Sequence, residues 1–258
     1  MNPGPVPPLA TPNQPHLPPH PELPEFYAMA EERSRFVQTL FDRTAEAYDR
    51  VSAAIAFGAD RHYRRQALQQ AGLRPGARLL DVATGTGLVL QAARELGLPM
   101  CDLVGVDPSR GMLAANHRRH PVALVQAFGE RLPFAAGAFD FITMGYALRH
   151  VADLRQFFAE LRRVLVPGGR VLLLEISRPE SKLGRAMLRF HLLRVVPWLA
   201  RPLSGRAEAR QLLRYYWATI DQCAPPAAIL EALAAAGFQE AHRRVCHRIL
   251  SDYSAIKS

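Results

Sequence analysis

Between about position 75 and 176, short apolar runs alternate with stretches of helical apolar spacing. The runs at 78–83, 103–107, 122–126, 139–144 and 170–176 have strand length and are bounded by turn residues, so they read as buried strands. The stretches between them at 87–96, 109–119 and 153–165 keep their apolar residues on one helical side. Regular strand–helix alternation with short turns implies a parallel sheet covered on both faces, a Rossmann-like α/β fold. Upstream, Glu31 to Tyr48 places Phe36, Leu40, Phe41 and Ala45 on one side of a helix, and 60–71 predicts a second. Leu73-Arg74-Pro75-Gly76 and Pro167-Gly168-Gly169 predict turns that feed strands. Past Ser177 the alternation stops. Helices are predicted at 181–200, 206–222 and 225–236, ending at Gly237, then short strands at 240–245 and 247–253. The expected architecture is a mostly parallel seven-stranded sheet with a helical insertion at about 181–222.

The first 24 residues hold ten prolines and little that could build a core. They predict a disordered or polyproline-like tail before a folded domain of 25–258. No run of about eighteen apolar residues exists to span a membrane, and the proline-rich start lacks the apolar stretch of a signal peptide. Cys101, Cys223 and Cys246 lie far apart without C-x-x-C spacing, so a metal knuckle or disulfide framework is not expected. The expectation is a cytoplasmic protein with reduced thiols.

Charge changes this picture in one place. The chain carries +9 overall, and nine Lys or Arg face only Glu180 and Glu208 between Arg178 and Arg214. A basic patch this local suits an anionic surface: nucleic acid, lipid headgroups or a partner. Within it Lys182, Arg185 and Arg189 share one helical face, and Leu183, Met187, Phe190 and Leu193 another. That is the pattern of an interfacial amphipathic helix. A helix over an apolar tunnel, or one packed on the core with a solvated face, gives the same pattern. Aromatic residues for stacking bases are sparse there, which disfavours nucleic acid.

The candidate chemistry starts at Ala77 to Gly87, where a strand meets Thr84-Gly85-Thr86-Gly87 and then a helix N-terminus. Such a turn forms a nucleotide-type site, because glycine lets backbone approach a ligand. A dinucleotide fingerprint wants a third glycine where Leu90 stands, and no P-loop lysine follows. The order D-x-x-x-G-x-G from Asp81 resembles the first motif of class I S-adenosylmethionine (SAM) methyltransferases. Asp107 ends the next strand, twenty residues past Gly87, where it can accept both ribose hydroxyls. A helix cap for 109–118 is the plainer and compatible role. Thr86, Asp107, Gly129, Gly145 and Arg149 follow strand ends and would converge at the carboxyl edge of the sheet.

Further motifs carry a closer resemblance: Phe41-Asp42 with Ala47-Tyr48-Asp49, Asp107-Pro108-Ser109 with Gly111-Met112-Leu113, Leu148-Arg149-x-Val151-x-Asp153, and Leu174-Glu175-x-Ser177-x-Pro179. Over about 35–250 the chain is similar to the quinone C-methyltransferases of ubiquinone and menaquinone biosynthesis. It departs from them at Leu88 (usually Asp), Phe128-Gly129 (where Asp-Ala or Asn-Ala contacts adenine), Gly145 (a serine near SAM) and His150 (the Asn of L-R-N-V). The resemblance implies SAM as cofactor, held by Asp81, Gly85, Thr86, Gly87, Asp107, Phe128, Gly129 and Gly145. It also puts Arg149 and His150 at the substrate. Carbon methylation of a quinol needs an electron-rich ring, which loss of a phenolic proton provides. Arg149 could stabilise the phenolate and His150 take the proton. Tyr48 and Tyr215 are candidate substrate contacts.

The expected activity is C-methylation of a prenylated benzoquinol or naphthoquinol. Methylation of another small molecule on O, N or C is the alternative, or a basic RNA- or partner-binding protein that keeps SAM. Expected partners are a lipophilic quinol, the membrane surface by peripheral contact, and a second copy of the chain.

Overall fold

The computed structural model describes residues 16–29, 32–55, 60–199, 206–246 and 249–258. Its strands are β1 (Leu79–Val82), β2 (Leu103–Val106), β3 (Ala123–Val125), β4 (Phe139–Gly145), β5 (Leu165–Ile176), β6 (Phe238–Cys246) and β7 (Leu250–Lys257). They form one sheet in the order β3-β2-β1-β4-β5-β7-β6. β1 pairs in parallel with β2 and β4, β2 with β3, and β4 with β5, while β7 runs antiparallel to β5 and β6. The fold is the expected mostly parallel, seven-stranded α/β sheet.

Alternation along each strand builds two cores, one per face. Leu79 of β1 and Leu172 and Leu174 of β5 enter one core; Leu80, Val171 and Leu173 enter the other. The first core is closed by α1 (Arg33–Thr44), α2 (Tyr48–Ile55), α3 (Asp60–Gln70) and α4 (Leu88–Glu95), through residues such as Val37, Val51, Leu68 and Leu90. After β2 comes α5 (Arg110–His117). The second core is closed by α6 (Leu154–Val164) and, later in the chain, the helix at Pro226–Ala235, through Phe157, Leu161 and Leu233.

Three boundaries differ from those read in the sequence. The helix expected over 31–48 breaks after Thr44, whose hydroxyl donates back to the Leu40 carbonyl at 2.8 Å, a bond that bends helices; α2 starts afresh at Tyr48. Pro167-Gly168-Gly169 is not a connection outside the sheet. Phe139 pairs with Leu165 and Phe141 with Arg170, so the intervening residues form a bulge inside β5. Gly168 takes φ +76° there, which favours glycine. The helix expected at 181–200 is α7 (Lys182–Phe190), a π-helical turn (His191–Val195) and α8 (Val196–Leu199). Then follow α9 (Arg206–Asp221) and α10 (Pro226–Ala235).

The expected tail boundary at Glu25 also moves. Positions 1–15 lie outside the described residues, but 16–24 form a strap across the molecule. The Leu17 amide donates to Asp153 Oδ2 at 3.0 Å, and its carbonyl accepts from the Leu154 amide at 3.0 Å. The Pro19 carbonyl accepts from the Ala224 amide at 2.7 Å. His20 Nε2 accepts from Arg33 Nη2 at 2.9 Å while Nδ1 donates to the Pro21 carbonyl at 2.6 Å. Leu23 is buried in the first core. Four prolines in this stretch favour an extended backbone that contacts Arg33, Asp153 and Ala224 without forming an element.

A chain starting at Glu25 should therefore melt below one starting at His16, because Leu23 and the His20–Arg33 contact are lost. Leu23→Ala alone should cost about 2–5 kcal/mol. Burial and the Arg33 charge lower the His20 pKa to about 4. His20 binds its proton more readily in the unfolded chain, so its contribution is complete above about pH 6.5 and is lost as pH falls towards 4. Calorimetric scans of the two chains between these pH values check both points; equal melting temperatures would remove the strap from the folded unit.

Candidate functional site

The order of strands reverses between β1 and β4, so crevices open at their carboxyl ends, where open α/β sheets bind ligands. One open cleft of about 770 Å³ lies there, between the strand ends and α1. A narrower one of about 300 Å³ shares Tyr48, Ala83, Gly85 and Gly145 with it. The β1 turn between them is built by unusual backbone. Ala83, Gly85 and Gly87 all take positive φ. A Cβ on Gly85 would meet nothing within 4 Å, so its backbone is open to a ligand. A Cβ on Gly87 would lie 2.5 Å from Asn116 Oδ1 and 2.6 Å from His120 Cδ2. Gly87 therefore serves the packing of α4 against the end of α5, not ligand space.

Asp107 joins two turns. Its Oδ2 accepts from the Gly85 amide at 2.8 Å and its Oδ1 from the Ser109 amide at 2.8 Å. The cap of α5 is Ser109, which accepts from the Met112 amide at 3.1 Å. Each Asp107 oxygen keeps a lone pair for a hydroxyl from the cleft. Burial pushes its pKa up to about 6, against the pull of the two amides. Asp81 is buried more deeply. Thr143 donates to its Oδ1 at 2.7 Å, and its Oδ2 has no partner. Burial raises its pKa to about 7. An unpaired buried carboxylate oxygen in the wall of the narrow cleft suits a cationic group.

Other expected cofactor residues divide. Phe128, 44% exposed, presents its ring at the wide cleft beside Gly129. Gly129 itself is required by packing, since a Cβ would sit 2.7 Å from the Phe157 ring. Gly145 lines both clefts. The Thr86 hydroxyl is already engaged by Asp49 Oδ1, which leaves Thr86 a structural role. Asp49 also pairs with Arg119. Asp42 works in parallel: its Oδ1 accepts from Ser109 Oγ at 2.6 Å and from the Gly111 amide at 2.8 Å. The two acids of the Phe41-Asp42…Tyr48-Asp49 motif thus clamp α1 and α2 to the cofactor side, and its two aromatics line the wide cleft. Sequence reasoning saw the motif without assigning the acids.

On the acceptor side, His150 lines the wide cleft with both ring nitrogens free of hydrogen-bond partners. Tyr215 stacks on it at 5.3 Å between centroids and Phe41 meets it edge-on at 5.3 Å. Burial, then the charges of Arg149, Arg33 and His20, hold the His150 pKa well below the usual histidine range. Arg149 lines neither cleft. It is fully buried, donates from Nη1 to both Glu175 oxygens at 2.9 and 3.0 Å, and stacks on Tyr216 at 4.9 Å. Its Nε and Nη2 have no partner. Tyr215 likewise sits behind His150, packed on Phe26 and Phe36, and lines neither cleft. Tyr48 lines both. Tyr146 was not foreseen. It follows β4 at φ +60°, lines the wide cleft, lies under Arg64 and has a hydroxyl without a hydrogen-bond partner. The buried β-strand pattern before it masks the outlier.

No group of three or more His, Cys, Asp or Glu among the described residues could hold a metal. The residues do fit SAM: an open backbone at Gly85, hydroxyl acceptors on Asp107, an exposed ring at Phe128 and an unpaired carboxylate oxygen on Asp81.

Comparison with known proteins agrees. The model of the ubiE/COQ5 methyltransferase family matches residues 28–248. A demethylmenaquinone methyltransferase of Thermus thermophilus is 35% identical over 77% of this chain and 91% of its own length. One of Corynebacterium efficiens is 36% identical over 67% and 74%. The ubiquinone/menaquinone biosynthesis C-methyltransferase UbiE of Geobacter sulfurreducens is 37% identical over 66% and 69%. Among solved structures, a SAM-dependent methyltransferase of Thermotoga maritima superposes with a TM-score of 0.60 at 20% identity, covering 86% of this chain and 99% of that one. Phosphoethanolamine N-methyltransferase 2 of Haemonchus contortus, in complex with SAM, does so with 0.55 at 19%, covering 76% and 52%. These two likenesses carry the fold alone. The chain belongs to the ubiE/COQ5 methyltransferase family and is a SAM-dependent methyltransferase of class I.

Proposed function

We propose that this enzyme methylates a ring carbon of a prenylated benzoquinol or naphthoquinol, the acceptor class of ubiquinone and menaquinone biosynthesis. The observation that carries the reading is the wide cleft. One side offers Gly85, Asp107 and Phe128, and the other is aromatic, with Phe41, Tyr48, Tyr146 and His150. The names of the Thermus, Corynebacterium and Geobacter relatives support the same acceptor class.

When bound, SAM supplies a methyl group activated by its sulfonium. The chain has to align the acceptor carbon and exclude water, and alignment alone can supply about 7–11 kcal/mol of the barrier. Asp107 would receive ribose hydroxyls, the Phe128 ring would pack on the adenine, and Asp81 would meet the cationic end. The aromatic wall holds a flat ring. A neutral His150 accepts a hydrogen bond from the acceptor's phenol and draws its proton away, which raises electron density at the ortho carbon. Behind it Arg149 adds a buried cation that favours phenolate in the cleft. Glu175 holds that guanidinium in place.

The acceptor class is tested by deleting the gene in its host and analysing the quinones: a quinone lacking one ring methyl should accumulate, and an unchanged profile would reject the reading.

Cofactor affinity should follow the two acids. Asp107→Ala should weaken SAM binding by the loss of charge-assisted hydrogen bonds, each worth ~1.5–3 kcal/mol. Affinity should rise with pH as Asp107, near 6, and then Asp81, near 7, become anions, and Asp81→Asn should lose the part of that rise centred near pH 7. Titration calorimetry at several pH values measures both; an Asp107→Ala enzyme with unchanged affinity would refute the ribose assignment.

The histidine and arginine should separate by readout. Because the His150 pKa lies below 6.5, kcat should stay level above that pH and fall only on its acid side. A rate that climbs through pH 6.5 to 7 would contradict this. Arg149→Ala leaves Glu175 buried and unpaired, which should cost about 3–5 kcal/mol of stability. Arg149→Lys keeps the charge but not the planar fork. It should retain the fold and the SAM affinity while kcat falls; an unchanged kcat would leave Arg149 a structural ion pair only.

A further inference from the structure

We propose that the segment from Lys182 to Leu199 is a docking surface for an anionic lipid bilayer. The segment has two apolar faces, and only one of them is used by the fold. Leu188, Leu192 and Val196, spaced four apart, point inward and are buried in the first core. A helix that merely packs on the core needs no more than these. Yet Leu183, Met187 and Phe190 form a second apolar row, 71%, 63% and 63% exposed, and Trp198 and Leu199 continue it at 61% and 45%. Five of the nine large hydrophobic residues exposed among the described residues thus fall in eighteen consecutive positions. Isolated surface hydrophobics need no explanation, but a contiguous row marks a contact surface.

The charges beside the row select the occupant. No acidic residue occurs from Ser181 to Leu199. Lys182, Arg189 and Arg194 are exposed. Arg185 is the exception, bound to Asp221 at 2.7 Å, and it fastens the helix to the end of α9. Exposed cations flanking an apolar row are complementary to anionic headgroups over an acyl layer, with the tryptophan suited to the boundary between them. A second copy of this chain would bring the same cations onto themselves, which like-charge repulsion opposes.

The place of the surface also matters. The π-helical turn positions His191 so that its Nε2 lies 3.1 Å from the Ile55 carbonyl, at the end of α2. Tyr48, at the start of the same helix, lines the wide cleft. One helix therefore connects the lipid-facing segment with the acceptor side of the site. Docking would bring that side within reach of an acceptor dissolved in the bilayer, a use that rests on the proposed quinol chemistry. The docking itself does not.

The test uses the full chain and phosphatidylcholine vesicles with or without phosphatidylglycerol. Cosedimentation should require phosphatidylglycerol and weaken as salt rises, because screening lengths shrink to about 8–10 Å at 0.1–0.15 M. In a Trp217→Phe chain, Trp198 fluorescence should shift to the blue on adding these vesicles. Lys182→Glu with Arg189→Glu should reduce binding at least about tenfold, since each cation near such a surface is worth about fivefold. The triple variant Leu183→Ser, Met187→Ser, Phe190→Ser should lose binding while keeping its melting temperature and its turnover of a soluble short-chain quinol. Wild-type binding that ignores phosphatidylglycerol, or variants that bind like the wild type, would overturn the proposal. So would a dimer in solution that the triple variant dissociates, because a second copy would then cover the row. Vesicle binding without any turnover of quinols would instead reject the acceptor class and leave the docking surface standing.

Discussion

Two backbone amides meet on one carboxylate at Asp107, and the cofactor side of the enzyme depends on that junction. Gly85 brings the turn after β1, and Ser109 brings the turn before α5. Neither turn has a strand partner there to satisfy its amide, and a buried amide left unmade costs about 1–3 kcal/mol. The carboxylate meets both, and they in turn offset part of the burial that raises its pKa. From this point the ties run outward. Ser109 caps α5 and donates to Asp42 of α1, while Thr86 of the same glycine turn donates to Asp49 of α2. The N-terminal helices, which carry Phe41 and Tyr48 into the wide cleft, are thus held to the cofactor turns by their own acids, Asp42 and Asp49. Cofactor and acceptor sides share one hydrogen-bonded frame.

The acceptor side has a different physical character. It is aromatic, and its polar groups are buried and only partly satisfied: His150, Tyr146 and two nitrogens of Arg149 have no partner. Unpaired buried groups are costly to a fold unless a ligand meets them. The buried ion pair of Arg149 with Glu175 lies behind the wall and not in it. That pair contributes little to stability on balance and a great deal if one member is removed. It suits a support that must keep a cation fixed close to a developing anion.

Much of this was legible in the sequence, for local reasons. Strands buried on both faces are continuous apolar runs, and the D-x-x-x-G-x-G turn and the acid after β2 are set by residues close in the chain. What was missed depends on distant partners. The strap around His20 and Leu23 looks like a proline tail until Arg33, Asp153 and Ala224 are in place to bind it. Arg149 reads as a cation at the substrate because the partner that holds it, Glu175, lies 26 residues away, on β5. Gly87 reads as ligand space because Asn116 and His120, which it accommodates, come from α5 and the turn after it. His150 could be named from sequence as a titrating base, but its neutral state follows from burial and from three cationic or basic neighbours that only the fold assembles. The bulge inside β5 is set by its register with β4, which no local pattern encodes.

Methyl transfer in this cleft goes to carbon. It is tested most directly by incubating the enzyme with SAM carrying a labelled methyl and with reduced, prenylated benzoquinol and naphthoquinol acceptors that each lack one ring methyl, then locating the label in the product. Each acceptor should gain one labelled methyl, bonded to the ring carbon next to a phenolic oxygen. Label on the oxygen, or transfer to no quinol while an unrelated acceptor is methylated, would contradict it.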